Sequence, residues 1–308
     1  MSQRTVLLVA HTARRPICAE ATRAARQLVD AGLAVRMLPD EAGFVDVDGV
    51  EFVDVEHAAD GAEVVLVLGG DGTFLRAAEL SRPAGVPMIG VNLGHVGFLA
   101  EAEPNALDDT VQTIVSGDYA VEERVTVEAE VIVRGEVLSR QWALNEVSLD
   151  RSDRVRMLEI AVAVDGRPLL RFGCDGILCA TPTGSTAYAF SAGGPIVWPN
   201  VDALLLVPNA AHALFARPVV VAPESVVDIE LTSFGHEGVL SSDGRRSVSV
   251  PSGARVRVRR GSQPVRIGRV AAGWSFTDRL VAKFQLPVRS LRENGPAPIE
   301  DPLDDGGR

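Results

Sequence analysis

The sequence predicts an α/β region built on a parallel sheet, followed by a mostly antiparallel, β-rich region. Three observations carry this. Apolar runs alternate with helix-patterned segments over roughly the first third of the chain, the signature of a parallel α/β layer. Near Tyr119 the texture changes to period-two alternation. From there to Val270, short β-branched runs are punctuated by X-Gly turn signals.

The elements follow in order. Thr5 to Ala10 (TVLLVA) reads as a strand buried on both faces. Ile17 to Leu28 carries Ala19, Ala24, Ala25 and Leu28 among Arg and Glu, a helix pattern ending near Gly32. Leu33 to Leu38 is the next strand, and Val64 to Leu68 (VVLVL) is a fully apolar one that runs into Gly-Gly. Phe74 to Leu80 reads as a helix, Pro87 to Val91 as a buried strand, and Pro104 to Val115 as a helix stopped by Gly117. Val121 to Val133 alternates as one strand, and Val137 to Leu149 continues in strand style after the Arg134-Gly135 turn. Further strands are expected at Ile160–Val164, Ile177–Ala180, Val219–Val221, Val226–Leu231, Ala254–Val258 and Val265–Val270. One helix-like segment, Ser185 to Ser191, interrupts them, and Phe276 to Phe284 reads as a final helix. The expected division is an α/β domain over 1–120, a β-rich domain over 121–271, a returning helix within 272–288 and a disordered Pro/Gly/Asp-rich tail over 289–308.

Composition narrows the function. At 308 residues and 46% hydrophobic the chain can bury a full core. Its net charge of −11 argues against a nucleic-acid partner. Lys283 is the only lysine, so a phosphate loop of the G-x-x-x-x-G-K-[ST] type is excluded. Cys18, Cys174 and Cys179 show no metal or disulfide spacing and read as small thiols in a reducing compartment. The apolar run near the N-terminus is short for a signal sequence, and no stretch approaches the roughly 20 apolar residues of a membrane span. A cytoplasmic protein with no membrane partner is expected.

Three segments carry chemistry. The first is Gly69-Gly70-Asp71-Gly72-Thr73, between an apolar strand and a helix. Ligands of open α/β sheets sit at such strand ends. Glycines let the backbone approach an anion, and the helix start offers N–H groups. A carboxylate in a phosphate cradle repels its ligand unless it has a task. Asp71 can take a proton from an attacking hydroxyl, hold Mg²⁺ between phosphates, or simply cap the helix. Arg76 lies one turn along, within reach of a phosphate.

The second segment is Asn145-Glu146, which breaks an apolar strand pattern. Adjacent strand residues point to opposite faces unless the strand bends, so this pair is either a strand end or a grip for sugar hydroxyls. The third is Asp175-Gly176-Ile177-Leu178-Cys179-Ala180-Thr181-Pro182-Thr183-Gly184-Ser185-Thr186-Ala187-Tyr188, a strand feeding a hydroxyl-rich loop and a helix. It suits ribose, an adenine edge or phosphate, or is an ordinary Ser/Thr-capped helix start. His95 and His212 stand among apolar neighbours and read as core or interface histidines. Asp243-Gly244 reads first as a hairpin turn.

In this order, GGDGTFLRAAE, GVNLGHVGFLAE, NEVSL and DGILCATPTGSTAYAFSAGGP resemble the NAD kinase family, over roughly Val6 to Leu286. GGDGT alone also resembles lipid kinases and phosphofructokinases; the combination is far more specific. The resemblance implies an N-terminal α/β domain, a β-rich C-terminal domain and a final helix packed back on the first. It implies Mg-dependent phosphoryl transfer from ATP or polyphosphate to the 2′-hydroxyl of NAD's adenosine ribose, giving NADP, by a homodimer or homotetramer. Asp71 would be the proton acceptor, with Gly72 beside it. Asn145 and Glu146 would hold NAD, Asp175 would contact the second nucleoside, and Thr186, Ala187, Tyr188 and Ser191 would line the adenine and ribose region. Arg156 and Arg76 fall where relatives place basic ligand contacts. No residue is assigned as a metal ligand. One departure is Gly173, where many members carry Arg; Arg245 stands where some carry Gln and is not counted as a ligand. The alternatives are a non-catalytic NAD/NADP-sensing module and a lipid kinase sharing the GGDGT loop.

Overall fold

A computed structural model describes residues 3–11, 15–94, 97–100, 102, 106–153, 156–232, 237–270 and 274–287. His95 and the tail 289–308 lie outside the described residues.

The first sheet contains strands β1 (Thr5–Ala10), β2 (Ala34–Met37), β3 (Val50–Phe52), β4 (Val64–Gly69), β5 (Met88–Asn92), β6 (Ala120–Arg124) and β19 (Val265–Arg269), in the order β3-β2-β1-β4-β5-β19-β6. All neighbours pair in parallel except β19 and β6. The period of two sorts β1 between two cores. Val6, Leu8 and Ala10 pack under helices α1 (Arg15–Asp30) and α3 (Leu107–Ser116). Leu7 and Val9 pack on the other face with Phe74, Leu75, Ala77 and Ala78 of helix α2 (Asp71–Ala84). The chain leaves β1 toward β2 on one side and enters β4 on the other. The carboxyl ends of β1 and β4 therefore flank the switch point where open α/β sheets bind ligands.

Two antiparallel sheets follow. One contains β7 (Val127–Val133), β8 (Glu136–Ala143), β10 (Leu158–Val164), β11 (Arg167–Cys174), β15 (Val227–Leu231) and β18 (Arg255–Arg260). The other contains β9 (Glu146–Arg151), β12 (Gly176–Ala180), β13 (Leu204–Asn209), β14 (Val219–Val221), β16 (Gly238–Ser242) and β17 (Arg246–Val250). Their facing side chains, among them Val127, Ala129, Ile160, Val147, Leu149, Ile177 and Leu206, form one sandwich core. The turns at Arg134-Gly135, Asp165-Gly166 and Asp243-Gly244 place both residues at positive φ, the geometry of two-residue hairpin turns.

The structure corrects the sequence reading in two places. Val121–Val133 is not one strand: it breaks after Arg124, and its first part pairs with β19 in the first sheet. Val265–Val270, expected in the β-rich region, supplies that β19 and bridges β5 to β6. The final helix, α5 (Phe276–Phe284), has the expected bounds. It packs on the first region through Phe98 and also reaches Phe190 and Trp198.

Candidate active site

Asp71 is the first residue of α2, with Gly70 before it at the helix cap. The capping role is overturned, because no side chain caps this helix. The Asp71 carboxylate instead turns to the neighbouring loop. Its Oδ2 accepts the Phe98 N–H at 3.2 Å and its Oδ1 accepts the Leu99 N–H at 3.1 Å. Gly97 makes room for this, since a Cβ there would collide with the Asp71 carboxylate. A carboxylate held by two amides in one rotamer, half-buried at a strand end, is an organised acceptor. Gly72 beside it is exposed.

Asn145 and Glu146 lie where β8 has ended and β9 begins, as the strand-end reading expects. Both are buried. Asn145 Oδ1 and Glu146 Oε2 are buried without a hydrogen-bond partner among the described residues. Such orphans are costly and mark either strain or the place of a ligand. Burial, reinforced by the negative charge of Asp243, pushes the Glu146 carboxyl up to about 8, while the Tyr188 N–H bonded to it acts the other way.

The segment is fixed from both sides. Asp243, at the β16–β17 turn, accepts the Leu144 N–H at 2.9 Å and the Asn145 N–H at 2.7 Å, and its own N–H donates to the Glu146 carbonyl. Thr181 donates its N–H to the Asn145 carbonyl and its hydroxyl to the Leu144 carbonyl at 2.6 Å. Gly184 lies directly against the Asn145 backbone, where any Cβ would overlap it. Leu144 itself inserts into the α2 core beside Phe74 and Leu99. Trp142 is stacked between the guanidinium groups of Arg82, from α2, and Arg246, at 4.4 and 4.6 Å from the ring centroid. Arg245 and Arg246 both pair with Glu79 of α2. Thus the helix carrying Asp71 and the strand carrying Glu146 are clamped together.

Period two on β9 puts Glu146, Ser148 and Asp150 on the face away from the sandwich core, toward Tyr188. Tyr188 begins the short helix α4 (Tyr188–Ser191), after a tight turn at Thr183–Thr186. Pro182 and Ala187 provide no side-chain cap, but Thr181 Oγ1 accepts the Gly184 N–H at 3.1 Å, so the Ser/Thr-capped start and a ligand-facing loop are both compatible with this turn. The Tyr188 hydroxyl accepts from Asn209 Nδ2 at 2.9 Å and lies 3.4 Å from Asp150 Oδ1. Burial and the ring hydroxyl's negative neighbours raise the Tyr188 pKa. Thr186 and Ala187 are half-exposed and Ser191 exposed, so this stretch presents an open edge.

Asp175 lies beside this group: its N–H donates to the Asn209 carbonyl at 3.1 Å and its carboxylate pairs with Arg151 at 3.2 Å. Arg156 is exposed and lines an open groove with Met157, Arg171, Gly173 and His212. The core reading of His212 fails, because it is exposed and its backbone N–H donates to the Gly173 carbonyl. Arg76 points toward the end of β2, where it binds both Asp40 oxygens at 2.7 and 2.9 Å and lies 3.6 Å from buried Glu41. Cys174 and Cys179 are buried thiols, pushed up to about 12 by burial, and are chemically inert. Sequence reasoning missed Asp243, Phe98, Asp150 and Arg279. Only Asp243 left a trace, as a turn residue.

Residues 6–119 match the family model of the ATP-NAD kinase N-terminal domain, and residues 144–270 that of the ATP-NAD kinase C-terminal domain. The chain is 53% identical over 301 residues to an NAD kinase of Thermobifida fusca (strain YX), with 94% of this chain and 92% of the relative covered. The chain belongs to the NAD kinase family. An NAD kinase of Mycobacterium tuberculosis (strain CDC 1551 / Oshkosh) is 49% identical over 305 residues, covering 94% of this chain and 99% of the relative. The fold is that of yeast NADH kinase complexed with NADH, with a TM-score of 0.82 at 22% identity over 94% of this chain and 90% of that one. The relatives give no support to the lipid-kinase or sensor alternatives. Asp71, Glu79, Phe98, Leu99, Asn145, Glu146, Thr181 and Gly184 lie in the segments that carry the NAD kinase resemblance, whereas Arg82, Trp142, Leu144, Asp243, Arg245 and Arg246, which complete the clamp, lie outside them.

Proposed function

We propose that this chain transfers the terminal phosphoryl group of ATP or polyphosphate to the 2′-hydroxyl of the adenosine ribose of NAD, giving NADP. The observation that carries the reading is the Asp71 carboxylate, fixed by two backbone amides at the head of α2, a helix that Arg82 and Glu79 tie to Trp142, Arg245 and Arg246 around the orphaned pair Asn145–Glu146.

The donor's phosphates lie along Gly70 and Gly72, where the first turn of α2 offers unpaired N–H groups. Asp71 takes the proton of the ribose 2′-hydroxyl as that oxygen attacks the terminal phosphorus. The new O–P bond forms as the bond to the bridging oxygen breaks, and ADP or a shortened polyphosphate leaves. Positioning and charge stabilisation do most of the work in such a transfer. Asn145 Oδ1 and Glu146 Oε2 take hydroxyl or amide hydrogens of NAD, which ends their isolation. Tyr188, Thr186, Ala187 and Ser191 line the adenine and ribose, Asp175 contacts the second nucleoside, and Arg156 supplies a basic ligand contact. Arg76 exchanges its exposed partner Asp40 for phosphate.

Asp71 is a single carboxylate at the loop, and no group of three or more His, Cys, Asp or Glu among the described residues could hold a metal. With Asp71 as the one carboxylate there, a Mg²⁺ ion brought in with the donor's phosphates would be held beside Asp71 and would neutralise phosphate charge.

In this proposal residues 1–120 hold the donor and 121–271 hold NAD, with α5 across the two. A second copy of the chain closes the open edge near Asp175, to which the exposed Leu214 and Phe215 add apolar surface. The setting is the cytoplasm, in keeping with the buried thiols Cys174 and Cys179.

The test is NADP⁺ formation by purified protein with Mg²⁺ and NAD⁺, offering ATP and polyphosphate in parallel. NADP⁺ with either donor supports the proposal, and the ratio fixes the donor. No NADP⁺ from folded protein that still binds NAD⁺ overturns it.

A further inference from the structure

We infer that Arg279, on the C-terminal helix, is a positioning residue for Asp71, acting through the single peptide that joins Phe98 to Leu99. The carbonyl of that peptide accepts a hydrogen bond from Arg279 Nη1 at 3.1 Å. The N–H of the same peptide, carried by Leu99, donates to Asp71 Oδ1 at 3.1 Å. Guanidinium and carboxylate thus face the two ends of one polarisable unit. A cation at the carbonyl oxygen draws electron density from the amide and strengthens its N–H as a donor.

The surroundings favour this effect. Arg279 is only 2% exposed. Its field is little screened by water. Burying an arginine is expensive, and an apolar residue of similar volume would pack a helix against a loop at lower cost. The helix is also placed to hold Phe98 in particular. Its N-terminus is fixed by the Ser275–Asp278 capping box. The Phe98 ring packs against Phe276 and Phe284, each with a centroid separation of 5.9 Å. Ring and carbonyl of one residue are therefore gripped by α5, while its N–H and the next are committed to Asp71.

The inference rests on the proposed role of Asp71 as proton acceptor, and its test separates the two. Arg279→Met keeps the length and apolar stem of the side chain, and Arg279→Lys keeps a cation. In Arg279→Met, kcat for NADP⁺ formation is expected to fall about tenfold or more, with KM for NAD⁺ and ATP essentially unchanged. Arg279→Lys should recover part of the loss. In an Asp71→Ala background, Arg279→Met should cause no further loss. The Leu99 amide proton, read by NMR without any turnover, should move upfield in Arg279→Met and in Asp71→Ala. An equal loss of kcat in both backgrounds, an unchanged kcat, or a fixed Leu99 resonance overturns the inference. If Arg279→Met does not fold, the kcat and Leu99 shift of Arg279→Lys decide alone: wild-type values for both overturn it. Full turnover by Asp71→Ala sinks the proton-acceptor reading instead, and the Leu99 resonance still decides whether the relay exists.

Discussion

Asp243 holds Asn145 by its backbone rather than by its side chain. One carboxylate oxygen takes the Asn145 N–H at 2.7 Å, the other takes the Leu144 N–H at 2.9 Å, and Arg246 neutralises the charge from behind at 3.3 Å. This leaves Asn145 Oδ1 without a partner among the described residues. Asp243 sits at φ 53, a conformation Asn also tolerates. Asp243→Asn therefore removes the charge without backbone strain, but one oxygen becomes an NH₂ that cannot accept. The expected cost is about 1–3 kcal/mol for an amide left unpaired, with KM for NAD⁺ rising more than kcat falls. Urea unfolding and initial-rate kinetics check both. An unchanged KM would mean that Asp243 supports the fold alone.

Asp71→Asn is nearly isosteric and leaves one oxygen to accept from the loop, so the fold should persist with stability lowered by about 1 kcal/mol for the half-buried loop amide that loses its acceptor. A positioned base contributes about 10²- to 10⁴-fold, and kcat should fall within that range while NAD⁺ binding persists. Near-wild-type turnover would remove Asp71 from the proton-acceptor role.

Glu146 makes stability depend on pH in a definite direction. Burial and Asp243 raise its carboxyl from 4.5 in the unfolded chain to about 8 in the folded one. Between these values the folded state holds a proton that the unfolded state has lost, so stability falls as pH rises. This contribution is fully present below pH 4.5 and is lost by about pH 8. Glu41, raised to about 7 by burial, acts in the same direction over a narrower window. Glu146→Gln removes the titration. Relative to wild type it should gain stability progressively from pH 5 to pH 9, by roughly 3 kcal/mol at the upper end, while losing affinity for NAD⁺. Unfolding free energies at pH 5, 7 and 9 test this; a difference independent of pH would show that Glu146 does not change its protonation on folding.

Much of this was legible in the chain itself, for physical reasons that also mark its limits. The buried runs TVLLVA and VVLVL announce parallel strands because both their faces are covered, and all twelve of the residues Thr5–Ala10 and Val64–Gly69 are buried. The GGDGT loop is readable because its function needs local chemistry, a carboxylate and glycines at a strand end. The break after Arg124 is not readable, because alternation continues on either side of it and only pairing with β19 separates the two halves. Arg279 and Phe98 are 181 residues apart, and no local pattern links them. Asp243 shows as a turn because turn residues are local, whereas its grip on Asn145 spans 98 residues. Placement of Asp71, Glu146 and Tyr188 in recognisable motifs thus came from short-range chemistry, and what holds them came from packing.

Gly97 offers the cleanest perturbation of the site. The three atoms nearest a Cβ on Gly97 all belong to the Asp71 carboxylate, and Gly97 has no positive φ to strain. Gly97→Ala should therefore fold as well as wild type, since neither a core contact nor a backbone conformation is lost. The carboxylate must rotate away, and its bonds from the Phe98 and Leu99 amides must lengthen or break. Stray placement of a reacting group by about 1 Å costs on the order of 10²-fold in rate. The expected outcome is a kcat lowered by about that factor, an unchanged melting temperature, and KM for both substrates close to wild type. Gly184→Ala serves as the contrast, because its Cβ would overlap the buried Asn145 backbone and the variant should lose stability as well as activity. A Gly97→Ala enzyme that turns over normally would show that the orientation of Asp71 seen here is not the one used in the reaction.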